Sequence, residues 1–370
     1  MTPPGPTPTP PSFPSDPPLP SQVTRPSHPW LIVGQGLAGT CLAWHLWWRD
    51  TPFQLIDLGH GGSSRVAAGL INPITGKNFE PSKHLSSFLP EAMVFYQKVE
   101  SMLHTSVWHP MPVLRLAATA VEWAKIQAKL TRPDIARWMD EVPPPTPHGW
   151  HAAMRVLGGG RLDTRAFLDA SRDFFQQRGC FRQAEYDGSA EPSTTILCEG
   201  AAGLLLGRVA PHRCAKGEIL TIRAPHWPAD HIRIGGGGWL VPLGDSLFKV
   251  GSTYEWDLLD DLPTSGGEEK IRAIASRLAD TNFEVIAHEA GIRPILRRSE
   301  PLIGPLPSGH WFFNGLGSKG SLSAPATARR LADWLISGSP PDVEFDIRHF
   351  TVGAVVRPQS SQPGEADPKP

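Results

Sequence analysis

The run Gly34-Gln35-Gly36-Leu37-Ala38-Gly39 is the part of this chain best suited to chemistry. An apolar run, Trp30-Leu31-Ile32-Val33, enters it; a helical pattern leaves it; a second apolar segment, Phe53-Gln54-Leu55-Ile56, ends in Asp57. The spacing predicts a strand, turn, helix, strand unit that holds a dinucleotide. Gly34 permits the tight turn, Gly36 lets the backbone approach a pyrophosphate, and Gly39 lets helix and strand pack closely. The helix N-terminus adds free N–H donors and a partial positive charge. Asp57, roughly twenty residues past the glycines, is placed to accept hydrogen bonds from ribose hydroxyls.

Three further segments combine small residues with positions where a flat ligand could lie. Ser63-Ser64-Arg65-Val66-Ala67-Ala68-Gly69 carries one arginine among small side chains. Thr194 to Cys198 reads as a buried strand ending in Glu199-Gly200-Ala201-Ala202-Gly203, and ligands gather at the carboxyl ends of such strands. Trp311-Phe312-Phe313-Asn314 leads into Gly315-Leu316-Gly317-Ser318-Lys319-Gly320, which feeds a helix expected from about Ala324 to Ile336. This last loop lacks the Gly-Lys-Ser/Thr order of a phosphate-binding P-loop. His104 and His109 are off helical ligand spacing, so no metal site emerges, and no GxSxG elbow marks a nucleophile.

The elements that must position these residues are those of an α/β protein. A chain of 370 residues suggests two domains, and a net charge of −1 gives no electrostatic case for nucleic acid or an anionic membrane as an obligatory partner. Four scattered cysteines without CxxC spacing fit a reducing cytoplasm, and no apolar stretch reaches the roughly 20 residues that span a bilayer. Residues 1–29 carry twelve prolines and read as a disordered tail, and 351–370 read as loose. The stretch from Pro90 to Lys129 reads mostly as helix. Asp163 is a plausible cap for a helix over Thr164 to Arg178, and residues 217–255 read as strands joined by turns, with a helix over 267–279.

Taken in order, GxGxxG, Ser-Ser-Arg with Ala-Ala-Gly, Gly158-Gly159-Gly160-Arg161-Leu162-Asp163, the turn at 199–203, Gly291-Ile292-Arg293-Pro294 and the glycine loop before the last helix resemble FAD-dependent oxidoreductases of the D-amino-acid oxidase family. Within it the chain is similar to glycine and sarcosine oxidases, and to the oxidase half of the bacterial enzyme that matures methylaminomethyl-thiouridine in tRNA. The resemblance implies a Rossmann-like FAD-binding domain with an inserted mixed or antiparallel-sheet substrate domain. The FAD-binding segments are expected at 30–90, 151–215 and 291–350, and the substrate segments at 91–150 and 216–290.

The resemblance also implies site residues. Gly34, Gly36, Leu37, Ala38, Gly39 and Asp57 would hold adenosine and pyrophosphate; Ser64, Arg65 and Gly69 would lie near pyrophosphate and flavin; Gly200 and Ala201 would approach from the second turn. Gly317, Ser318, Lys319 and Gly320 would direct a helix N-terminus at the flavin pyrimidine edge. FAD would be non-covalent. Arg293 would grip a substrate carboxylate, the alternative being a structural ion pair with Glu289 or Glu300. Lys249 would activate oxygen, the alternative being a solvated strand lysine, and Tyr254 is the third expected catalytic residue. The implied reaction oxidises the C–N bond of a small amine or amino acid by hydride transfer to flavin. A modified wobble uridine of tRNA as substrate, and flavin binding without turnover, are the alternatives. Oligomeric state is not legible.

Overall fold

A computed structural model describes residues 29–350 apart from 77, 141, 143, 280 and 297–299. The expected proline-rich tail, but for Pro29, and the expected loose segment 351–370 lie outside the described residues.

Apolar runs that alternate between two cores build the first sheet. Ile32, Leu55, Ile196 and Phe313 belong to one buried cluster, and their neighbours Val33, Ile56, Leu197 and Phe312 to another. Strands covered on both faces must be apolar at every position, which is why they read as continuous runs. The sheet has six strands in the order Phe181–Gln183, Phe53–Asp57, Trp30–Val33, Thr195–Leu197, Trp311–Asn314, Leu302–Pro305. All neighbours run parallel except the last pair. The chain leaves Trp30–Val33 toward Phe53–Asp57 on one side, while Thr195–Leu197 lies on the other. That is a topological switch point, where a crevice opens at the strands' carboxyl ends. Helix Leu37–Trp47 is buried along almost its whole length, held between the sheet and helix Gly320–Ser337.

The second sheet has seven strands in the order Glu284–Arg293, Ala215–Arg223, Leu247–Gly251, Gly238–Gly244, Ile232–Gly235, Val113–Ala117, Ala152–Val156. It is antiparallel except where Ile232–Gly235 pairs parallel with Val113–Ala117. Here the alternation has two different faces: Leu220, Ile222, Leu240, Phe248 and Val250 pack with Ile271 and Ala275 of helix Ser265–Leu278. Ile219 and Trp239, one residue away, turn to the other side and line a cavity.

Three expectations change. The stretch read as mostly helical contains helices Leu85–Leu103 and Ala120–Lys129 with strands Trp108–Pro110 and Val113–Ala117 between them. Strand Ala152–Val156, read within a nucleotide-binding segment, pairs in the second sheet. The last helix starts at Gly320, so Pro325 lies inside it. Asp163 does cap its helix, accepting from Ala166 N at 3.0 Å, and Gly338 ends the last one in the left-handed region. Among the described residues no helix is long and apolar enough to cross a membrane.

Gly69 packs directly on the backbone of Leu162, whose N–H it accepts at 3.0 Å. Its φ is +65°, and a Cβ there would stand 1.8 Å from the Leu162 carbonyl oxygen. Gly69→Ala should therefore lower the stability of the protein by roughly 2 kcal/mol or more, the scale of left-handed strain plus a backbone clash. Urea unfolding checks this, and an unchanged midpoint would contradict it.

Candidate functional site

Between the two sheets lies a cavity of about 1330 Å³, larger than the about 300–1,000 Å³ of ordinary small-ligand pockets. Its floor is the switch point of the first sheet. Gly34 has φ +104°, and a Cβ on it would come within 2.5 Å of the Cys198 carbonyl oxygen; a Cβ on Gly39 would come within 1.9 Å of the Gly34 carbonyl oxygen. The turn is therefore clamped between the neighbouring strand and its own helix, and only glycine fits either position. Gly36 differs. A Cβ there would meet only the Ser64 side chain, its Oγ at 3.2 Å, and Gly36 lines the cavity.

The floor is held by polar contacts that the residue types alone do not disclose. Asp57 accepts from Gln35 N through Oδ2 at 2.7 Å and from Gly59 N through Oδ1 at 2.7 Å, so its carboxylate ties the glycine turn to the end of the next strand. Each oxygen can still accept a further hydrogen bond, and Asp57 lines the cavity. Ser64 Oγ accepts from Leu37 N at 3.2 Å, at the first turn of the helix. Arg65 pairs with Asp169 at 2.7 Å and donates to Gln35 Oε1 at 3.2 Å, which directs its guanidinium along the wall.

The expected cofactor residues converge. Gly34, Gly36, Leu37, Ala38, Asp57, Ser64, Arg65 and Gly69 line the cavity, with Gly200, Ala201, Gly317, Ser318, Lys319 and Gly320 on the other strands' ends. Gly39 packs behind the turn. At Gly200, with φ +58°, no atom stands within 4 Å of where a Cβ would be. Three glycine turns that meet around open space, backed by two helix N-termini, suit a long ligand with a pyrophosphate in its middle.

The roof is the second sheet. Arg293 lies under it with Nη2 donating to Ser252 Oγ at 2.7 Å and Thr253 O at 3.3 Å, and Nη1 to Lys216 O at 3.2 Å. The Tyr254 ring covers the guanidinium at 4.0 Å. Glu289 pairs with Arg165, and Glu300 with Lys83, so neither acid that could have made Arg293 a structural ion pair is bound to it. Among the described residues Arg293 has no carboxylate partner, and burial pushes its pKa down. A guanidinium desolvated this way is set to take an anion.

Lys249 stands one layer back. Its Nζ donates to Val66 O at 2.6 Å and Ala67 O at 3.2 Å, with Glu289 at 4.0 Å, and these loop carbonyls separate it from the cavity. It is neither solvated nor on the wall, and burial lowers its pKa to about 8. Sequence reasoning missed Gly217. A Cβ there would stand 2.1 Å from Arg293 Nη2, so this glycine is the seat of the guanidinium. A glycine inside a strand pattern, Lys216-Gly217-Glu218, was the signal available. Ser252, Trp239 and Arg115, also on the roof, carry no such signal.

The family profile described as DAO, FAD dependent oxidoreductase, matches residues 30–334. A glycine oxidase of Pseudomonas aeruginosa is 25% identical over 359 residues, covering 85% of this chain and 96% of the relative. The tRNA 5-methylaminomethyl-2-thiouridine biosynthesis bifunctional protein MnmC of Marinobacter nauticus is 24% identical over 376 residues, covering 85% of this chain and 56% of that protein. In fold, the chain is similar to iminodiacetate oxidase from Chelativorans sp. BNC1, with a TM-score of 0.73 and 20% identity over 85% of this chain and 98% of that one.

The Lys249 environment has a measurable consequence. An unfolded lysine keeps its proton to about pH 10.4, whereas the folded one loses it near 8, so between these values the unfolded chain binds more protons. Stability of the protein should rise with pH across that window relative to Lys249→Met, by up to about 1.4 kcal/mol per pH unit. Denaturant titrations of both proteins from pH 7.5 to 10.5 check it. Parallel curves would show that Lys249 titrates as an ordinary lysine.

Proposed function

Because the chain belongs to the FAD-dependent oxidoreductase family DAO, we propose that it oxidises the C–N bond of a small amino acid or N-substituted amino acid. The observation that carries this reading is Arg293, a cation with no acid partner among the described residues, beneath the sheet that roofs the cofactor cavity. When bound, FAD accepts the hydride lost from the substrate's α-carbon. The glycine turns at 34–39 and 199–203 suit its pyrophosphate, and the first turn of helix Gly320–Ser337 suits the pyrimidine edge, where negative charge develops.

The chain's own part is positioning. Arg293 takes the substrate carboxylate with the N–H donors that its bonds to Lys216, Ser252 and Thr253 leave free, its guanidinium held flat between Gly217 and the Tyr254 ring. That fixes the α-carbon at one height below the roof, and Ile219 and Trp239 keep water from the space beside it. The amine enters neutral, so no side chain is required as a strong base. Lys249 fixes the Val66-Ala67 backbone, and a cation held behind that loop would favour reaction with oxygen. The cofactor is held non-covalently. Of the four cysteines only Cys198 contributes to the wall, and burial raises its thiol pKa, which leaves it a poor nucleophile. A cytoplasmic location fits the free thiols.

A second reading, oxidation of a modified wobble uridine in tRNA, draws on the Marinobacter relative, of which this chain spans 56%. A net charge of −1 gives it no electrostatic support.

The test is anaerobic mixing of the FAD-loaded protein with glycine, N-alkyl glycines and the corresponding amines that lack the carboxylate. The amino acids should bleach the flavin. Arg293→Lys should keep FAD yet weaken amino-acid binding by about 2–4 kcal/mol, the scale for a desolvated charge that loses its fitted partner, and leave the simple amines nearly unchanged. Equal losses for both substrate types would make Arg293 a support of the fold, and no bleaching by any of them would overturn the reading.

A further inference from the structure

The roof of the cavity carries a second arginine, far from Arg293. The strand registers set Arg115, Ile234, Trp239, Gly251, Ile219 and Glu289 opposite one another in a single row across six strands. Residues paired in this way share a face of the sheet, and all of them but Gly251 line the cavity. With strands spaced about 4.8 Å, the two ends of the row are roughly 24 Å apart along the sheet. Arg293 is on the Glu289 strand, and its guanidinium reaches inward from that end over Gly217 to bond Ser252. The roof is thus cationic at both ends, with Ile219, Trp239 and Ile234 between.

Arg115 is not committed to the fold. Its Nη2 donates to Gly76 O at 3.3 Å, its Nε is buried with no hydrogen-bond partner, and among the described residues it makes no ion pair. Glu122, the nearest acid to act on it, turns its carboxylate to Ala118 N at 3.0 Å. A second cation reaches the same place from the first domain: Lys319 Nζ lies 3.4 Å from Thr75 Oγ1, one residue from Gly76, and among the described residues it too has no ion pair. The acid facing Lys319, Glu300, is bound to Lys83 at 2.6 Å. Two cations with no ion pair among the described residues, brought from two sides to one turn at the end of a cavity, leave a positive field that an anion would neutralise.

We propose that Arg115, with Lys319 beside it, binds a second acidic group at the far end of the substrate. The preferred substrate is then an amino acid that carries one carboxylate next to the oxidised C–N bond and a further carboxylate or phosphate beyond an apolar or neutral middle. This rests on the reading of Arg293 given above. The apolar stretch between the two cations accommodates the middle, and the second cation rejects substrates whose far end is basic.

Calorimetry on the FAD-loaded protein tests it with unreactive ligands: a series of linear monocarboxylates, the matching α,ω-dicarboxylates of increasing length, and ω-phosphono acids. At one length the dicarboxylate should bind at least tenfold tighter than its monocarboxylate, and Arg115→Met should erase that tenfold difference while monocarboxylate binding, FAD retention and melting temperature stay as in the wild type. A larger gain from the phosphono acid would identify phosphate as the second group. If monocarboxylates bind in an Arg293-dependent way but no dicarboxylate of any length gains, the second site is absent and the proposal falls alone. Monocarboxylates indifferent to Arg293 would remove the functional reading first. Loss of FAD in Arg115→Met would assign this arginine to the cofactor and overturn the proposal.

Discussion

The close approach of Gly34 to the carbonyl of Cys198 is the constraint on which the rest of the molecule depends. Two parallel neighbours, Trp30–Val33 and Thr195–Leu197, must part at their carboxyl ends to open a crevice, yet stay paired up to the last residue. A Cβ at Gly34, 2.5 Å from that oxygen, would push them apart one residue too early. With glycine the chain turns at once into helix Leu37–Trp47, Gly39 brings that helix down onto the turn, and Asp57 ties the turn to the third strand of the group. The cavity floor follows from these contacts. The second sheet closes over it because one of its faces is already satisfied by helix Ser265–Leu278, leaving the other for a ligand.

Under that roof electrostatics decides the arrangement. Arg293 gives up much of its hydration and receives two carbonyls, a hydroxyl and an aromatic face in return, none of which carries a full negative charge. A charged acid as partner would have stabilised the empty protein more, and would also have competed with any carboxylate brought by a ligand. Glu289, close in sequence, is kept occupied by Arg165 and lies 4.0 Å from Lys249. The acid and the three cations of this region are sorted so that, among the described residues, only Arg293 of the cations is left without a carboxylate beside it.

Much of this was legible in the chain. Glycine spacing, apolar runs and Asp57 report local geometry, and local geometry fixed the first turn, the buried strands and the capped helices. The helical reading of residues 90–129 failed because strands Trp108–Pro110 and Val113–Ala117 draw their pairing from residues far along the chain, at 152–162 and 232–234. No local period announces such partners. Gly217 and Arg115 were missed for the same reason. What Gly217 makes room for lies 76 residues later, and Arg115 joins the cavity only through a parallel pairing with Ile232–Gly235. Lys249, expected to activate oxygen or else to be a solvated strand lysine, is buried behind the Val66 and Ala67 carbonyls, since sequence cannot tell which carbonyls will stand between an ammonium and a cavity.

If one cavity takes FAD on its floor and a substrate carboxylate on its roof, a crystal structure of the FAD-loaded protein with an unreactive monocarboxylate is the most direct test. It should contain the pyrophosphate against Gly36 and the carboxylate hydrogen-bonded to Arg293, the Tyr254 ring still over the guanidinium. A carboxylate bound away from Arg293, or a pyrophosphate away from the 34–39 turn, would contradict it.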